Sequence, residues 1–101
     1  MPKLYEYFGL ILLFYSDDHD PMHLHVQHGT REGIIMLIIV EGRLVDLRWR
    51  AKRGASMLTE KSQREAETFV RAMKEDIVAK WTDFYVEHKR IKPLRITRRV
   101  K

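Results

Sequence analysis

Apolar residues recur with a period near two in the first half of this chain and at spacings of three and four in the second. Tyr7 to Tyr15, Tyr-Phe-Gly-Leu-Ile-Leu-Leu-Phe-Tyr, is an apolar run closed by Ser16-Asp17-Asp18, and at that length it predicts one buried strand. Pro21 fixes its own backbone and favours an extended Asp20, so the acids read as a turn and the residues from His23 as a second strand. Gly29-Thr30-Arg31 is a connection of hairpin size. It leads into Gly33-Ile34-Ile35-Met36-Leu37-Ile38-Ile39-Val40, the strongest strand signal present. Glu41-Gly42-Arg43 turns the chain again, and Leu44 to Arg50 alternates, with Val45, Leu47 and Trp49 predicted inward and Asp46, Arg48 and Arg50 outward.

Ala51 to Met57 reads as a basic, glycine-containing loop, after which Thr59 or Ser62 can cap a helix; Ser62 with Glu65 matches a capping box. Ala66, Phe69, Val70, Met73, Ile77, Trp81, Phe84 and Tyr85 then form an amphipathic helical stripe. Unbroken to His88, such a helix measures roughly 45 Å, against under roughly 20 Å for the width of four strands, so a bend is expected near Lys74-Glu75-Asp76. Beyond Pro93, Leu94, Ile96 and Val100 alternate with Arg95, Thr97 and Arg99, which fits a short edge strand or a basic tail over residues 89–101. The predicted fold is therefore α+β. It is one domain over residues 1–101: an antiparallel meander of four strands, or five, packed on a C-terminal helical hairpin or one bent helix. Strands apolar on both sides raise a packing question, because one helical layer covers one face of an open sheet. Curling into a partial barrel, a homodimer or a small partner protein would each shield the other, with self-association favoured.

With 101 residues the chain builds one modest core, and the absence of cysteine excludes disulfides and thiolate zinc sites. No apolar run approaches the roughly 20 residues of a membrane span, and the expectation is a cytoplasmic protein with no membrane partner. The net charge of +5 conceals an uneven distribution. Residues 1–47 carry three basic and seven acidic groups and residues 59–88 five and seven, while residues 48–58 carry four cations and residues 89–101 seven, without an acid. Arg48, Arg50, Lys52 and Arg53 form one basic block; Lys89, Arg90, Lys92, Arg95, Arg98, Arg99 and Lys101 form the other. Clustered cations favour polyanions by counterion release, so DNA or RNA is a candidate partner, against the plainer reading of a solvated loop and terminus.

Four of the five histidines lie in Asp17-Asp18-His19-Asp20-Pro21-Met22-His23-Leu24-His25-Val26-Gln27-His28. On a strand, His23, His25 and Gln27 share one side and Leu24, Val26 and His28 the other. Three chemistries follow. His23 and His25, with His19 and Asp18 from the turn, form a donor set for a divalent transition metal. Without metal, His23, His25 and His19 are candidate catalytic groups, a general acid and base acting on a phosphodiester. Alternatively the imidazoles donate to backbone or to the turn acids and pin the turn to the sheet. Tyr5, Tyr7 and Tyr15 either line such a site or are ordinary strand packing, as Trp49, Trp81, Phe69 and Met73 are expected to be core. His88 at the helical end is accounted for by the helix dipole.

The run from Phe14 to Val26, with Asp18-His19, Pro21 and His23-Leu24-His25 at its centre, is followed by Glu41-Gly42-Arg43-Leu44, Lys74-Glu75-Asp76-Ile77, Trp81 and Ile91-Lys92-Pro93-Leu94. Together they resemble, over nearly the whole chain, a family of small prokaryotic proteins known as domain of unknown function 4160. The resemblance implies a sheet with helices and a gene beside that of another small protein, as in toxin–antitoxin or regulatory pairs; it implies no particular activity. Met22 stands where the family usually has a second proline, and the segment from Arg48 to Met57 is more basic than the family pattern. The leading expectation is a regulatory or toxin–antitoxin-type protein that binds a partner protein, and nucleic acid through Arg48, Arg50, Lys52, Arg53, Lys89, Arg90, Arg95, Arg98 and Arg99. The alternatives are a histidine-centred hydrolase or ribonuclease, and structural histidines in an interaction module.

Overall fold

The computed structural model describes residues 3–14, 22–87 and 90–100, with Tyr85 described by its backbone alone. Five strands come first: β1 (Lys3–Tyr7), β2 (Leu10–Leu13), β3 (His23–His28), β4 (Arg31–Val40) and β5 (Arg43–Ala51). Helices α1 (Glu60–Ala72) and α2 (Lys74–Trp81) follow, then a π-helical turn (Thr82–Val86) and β6 (Leu94–Ile96). The strands lie in the order β5-β4-β3-β2-β1-β6. Neighbours are antiparallel except β6, which runs parallel to β1. The α+β class holds, but the sheet has six strands and is mixed, rather than an antiparallel meander of four or five.

The first cause of the difference is a turn inside the apolar run. Phe8 and Gly9 adopt φ of +45° and +87°, and Tyr7 pairs with Leu10, so Lys3 to Leu13 is a hairpin and the apolar run from Tyr7 is not one strand. Two positive φ values in a two-residue loop match the right-handed twist of the flanking strands; Gly9 adopts one freely, and Phe8 does so at a steric cost. A side chain at Gly9 would also meet His28 Nε2 at 3.2 Å. The second cause is the C-terminal segment, which is a strand here: β6 pairs with β1, and beyond it the Val100 N–H donates to Tyr7 Oη at 3.1 Å.

On β5, Ile38 faces Asp46 while Ile39 faces Leu44, so Val45 is an extra residue in a bulge. It is 56% exposed and not inward as its alternation predicts; Leu44 takes the inward place, while Leu47 and Trp49 keep theirs. Thr59 caps α1, its Oγ1 accepting from the Ser62 N–H at 3.2 Å. Ser62 is buried in the first turn and Glu65 accepts from Arg99, so the Ser62–Glu65 box does not form.

The helical segment bends at Met73, whose φ and ψ are −104° and 13°. Hydrogen bonds from Met73 N–H to Phe69 O and from Ile77 N–H to Met73 O, both 2.9 Å, carry the ladder across the bend. The result is a bent rod rather than a hairpin, with the bend just before Lys74. The molecule measures only 33 Å along its longest axis, shorter than a straight helix of this length. Turning the axis lets Ala66, Phe69, Val70 and Ile77 all bury against one sheet face. There they meet Leu4, Tyr5, Tyr7, Leu10, Leu12, Phe14, Leu24, Val26, Ile35 and Leu37. The Phe69 ring lies 5.1 Å from that of Tyr5 and 4.5 Å from that of Tyr7, and Phe14 stacks on Phe84 at 6.0 Å. Among the described residues no helix is long and apolar enough to cross a membrane.

One polar contact ties α2 to the sheet. Fully buried Tyr5 donates its hydroxyl to Asp76, which also accepts from Lys80 at 2.9 Å. Burial, reinforced by the hydrogen bond and charge of Asp76, pushes the Tyr5 phenol far up, so it remains a donor. Burial alone would raise the Asp76 carboxyl, but the hydrogen bonds from Tyr5 and Lys80 outweigh it and hold Asp76 below the ordinary carboxylate range. A depressed folded pKa gives stability that is present above the unfolded value of about 3.9 and is lost as the pH falls through the folded one. Asp76→Asn should therefore cost roughly 1 kcal/mol at neutral pH, modest because the carboxylate is partly solvated. In urea unfolding measured from pH 7 to pH 2, the gap between wild type and variant should close only in acid; a gap independent of pH would contradict this account.

Candidate functional site on the helix-free sheet face

Antiparallel partners point to the same side of a sheet, so register alone defines the face that the helices leave open. Leu24 and Ile35, and Val26, lie on the helical side; the alternating residues lie opposite. One row across the open face runs His23, Met36, Arg48. The next runs Leu13, His25, Ile34, Arg50. A third spans the sheet as Arg95, Glu6, Ile11, Gln27 and Glu32, with Lys52 closing on Glu32. This arrangement answers the packing question in part. The open face is charged along both flanks, and its apolar residues occupy the middle, where Leu13 and Ile34 are buried.

Glu32 is the hub of that face. Its Oε2 lies 3.1 Å from His25 Nδ1 and 2.8 Å from Lys52 Nζ, and its Oε1 accepts from Gln27 Nε2 at 3.1 Å. An oxygen shared with an ammonium is an acceptor, so His25 carries its hydrogen on Nδ1 and a neutral ring offers Nε2 as its lone pair. The His23 ring centre is 5.7 Å from that of His25. Both histidines are buried, at 7% and 3% exposure. The geometry combines a carboxylate-oriented imidazole, a second imidazole and a lysine, but within the sheet surface rather than on an open cleft.

The structure thus brings His23 and His25 to one side, as the strand period predicts. Asp17, Asp18, His19, Asp20, Pro21 and Tyr15 fall outside the described residues, as do His88, Lys89 and Lys101. Among the described residues, no three His, Asp or Glu side chains are grouped to hold a metal ion. Tyr5 and Tyr7 face the helices and do not line the histidine side. Glu32 has no strand-level signal of its own, being seven residues from His25 and past a turn. Counting outward from the two-residue Gly29-Thr30 turn would have found it, since His28 faces Arg31 and Gln27 then faces Glu32.

The cations divide into two sets. Arg48, Arg50 and Arg53 are exposed, with Arg48 Nε 3.4 Å from Asp46. Lys52 is held by Glu32. In the C-terminal block Arg95 donates to Glu6 at 3.0 Å and Arg99 to Glu65 at 2.9 Å, and the Arg99 guanidinium lies 4.0 Å from the Phe8 ring centre. Hydrogen bonds from Lys3 and Arg95 lower the Glu6 pKa, and the hydrogen bond to Glu65 raises that of Arg99. Arg90, Lys92 and Arg98 are exposed.

The model of the family described as domain of unknown function 4160 matches residues 9–82. The chain belongs to that family. No curated protein and no solved structure matches it.

If Glu32 holds the open face together, Glu32→Ala should destabilise the protein by about 2–3 kcal/mol, because Lys52 and His25 lose a shared acceptor in a nearly buried setting. Glu32→Gln, which keeps an acceptor oxygen, should cost less. Urea unfolding at pH 7 measures both, and an alanine variant as stable as wild type would show that the hub contributes nothing.

Proposed function

We propose that this family member is a small cytoplasmic regulatory protein, of toxin–antitoxin type, that associates with itself or a small partner protein and binds nucleic acid. Arg48, Arg50 and Arg53 are its principal contacts. The observation that carries this reading is the exposure of these arginines on and just beyond β5, beside a carboxylate, Glu32, that is already committed to Lys52, His25 and Gln27. Exposed cations along one edge of a sheet suit a phosphate backbone. The bent helix packs its apolar side on the sheet and leaves no recognition helix among the described residues, so binding is governed by backbone charge rather than by base sequence. Arg90, Lys92 and Arg98 are secondary contacts, while Arg95 and Arg99 are drawn into the fold by Glu6 and Glu65.

The second reading is a hydrolase or ribonuclease acting through His23 and His25, by acid–base chemistry or with a divalent metal that His19 and Asp18 would help hold. What favours it is the Glu32–His25 contact, since a carboxylate on Nδ1 orients an imidazole in general bases and metal ligands alike. It ranks second because both rings are almost fully covered. Nucleic-acid cleavage lost in His23→Ala and His25→Ala variants that still fold would reverse the order.

Fluorescence anisotropy with a short RNA and a DNA duplex tests the first reading. Affinity should fall steeply between about 50 and 200 mM salt, and Arg50→Ala with Arg53→Ala should reduce the slope of log K against log salt by about 1.5–2. Arg95→Ala with Arg99→Ala should change that slope little. Binding indifferent to salt, or unaffected by the first pair, would rule the reading out.

A further inference from the structure

The free edge of β5 is where self-association has a defined geometry. Among the described residues, β5 offers nine residues with β4 on one side only, whereas the opposite edge, β6, has three, with Arg95 bonded to Glu6 beside them. A long unpaired edge is a template for another strand. Its backbone orientation is visible at Leu47, whose N–H donates to the Asp46 carboxylate at 2.8 Å instead of to β4. That amide points to the free edge, and by the alternation of an antiparallel strand so do those of Trp49 and Ala51.

The geometry points to β5 of a second copy of this chain as the occupant, antiparallel about a two-fold axis at Leu47. It rests on the self-association half of the reading above and not on nucleic-acid binding. In that register Leu47 faces its own counterpart, and Asp46 and Arg48 of each copy face Arg48 and Asp46 of the other. Two ion pairs then flank the axis on the helix-free face. An axis at Asp46 sets two carboxylates together, one at Arg48 sets two guanidiniums together, and one at Trp49 sets Arg48 against Arg50; like charges directly opposite are destabilising. Of these four axes, the one at Leu47 alone leaves no like-charge pair, and it sets opposite charges face to face. Within one copy the Asp46 carboxylate is occupied by the Leu47 amide and by Arg48 at 3.4 Å, both contacts within its own strand. Pairing trades these for equivalent contacts across the axis. Exposed Val45 lies opposite Trp49 of the second copy, and Arg50 and Arg53 of both copies border the junction.

Sedimentation equilibrium of the full chain without nucleic acid tests this. The expected result is a dimer whose dissociation constant rises at least about tenfold in Asp46→Arg and again in Arg48→Asp, each of which sets like charges opposite, and returns to within about threefold of wild type in the doubly reversed protein. Both side chains are surface groups, and circular dichroism confirms that each variant is folded. As a measurement needing no variant, exchange of the Leu47 and Trp49 amides in the wild type should slow as protein concentration rises through the dimer midpoint. A chain still monomeric at tens of micromolar overturns both the interface and the self-association behind it. A dimer that both single reversals leave unchanged, or that leaves those amides exchanging at the same rate at every concentration, overturns the β5 interface alone.

Discussion

The carboxylate of Glu32 decides what the second face of this sheet can be. A sheet with one helical layer must make its other face compatible with water or cover it. Here a single acid, placed one rung from the β3–β4 turn, gathers an imidazole and an amide from β3 and an ammonium from the segment after β5. Three donors on one nearly buried acceptor make the network satisfied from the carboxylate's side, and removing it would strand several polar groups at once. The same contacts hold the ring of His25 and the ammonium of Lys52.

Charge is sorted by the fold and not only by position along the chain. Both basic blocks are equally conspicuous in sequence, but they meet different surroundings. The C-terminal block returns to the sheet as β6, where parallel pairing with β1 lays Arg95 beside Glu6, and the chain beyond it brings Arg99 over Phe8 and against Glu65 of α1. The arginines of β5 lie on an edge strand whose neighbouring acids are few, and they remain exposed. Arg48, Arg50 and Arg53 thus stay exposed, as do Arg90, Lys92 and Arg98, while Arg95 and Arg99 are paired within the fold.

The helical layer follows from the same economy of faces. Ala66, Phe69, Val70 and Ile77 reach one core only because the axis turns at Met73, and the Tyr5–Asp76–Lys80 contact secures the second half of the rod on β1. The core in turn owes its width to the Phe8-Gly9 turn, which ends β1 inside the apolar run and lays β2 beside it, with the rings of Tyr5 and Tyr7 both against Phe69.

Local pattern was enough for much that depends on near neighbours. The period of two told which sides His23, His25, Leu47 and Trp49 take, glycines marked the turns after His28 and Val40, and the spacing from Ala66 to Ile77 marked the buried helical stripe. It misled where a local rule had two outcomes of similar cost. A glycine inside an apolar run permits a turn without requiring one, and a bulge at Val45 reverses alternation with no signal in composition. What only the tertiary structure decided were the meetings of residues distant in sequence: Glu32 with Lys52, Glu6 with Arg95, Glu65 with Arg99, Tyr5 with Asp76. Whether a charge is offered to a ligand or consumed within the fold depends on which opposite charge the folded chain sets beside it, and no periodicity carries that information.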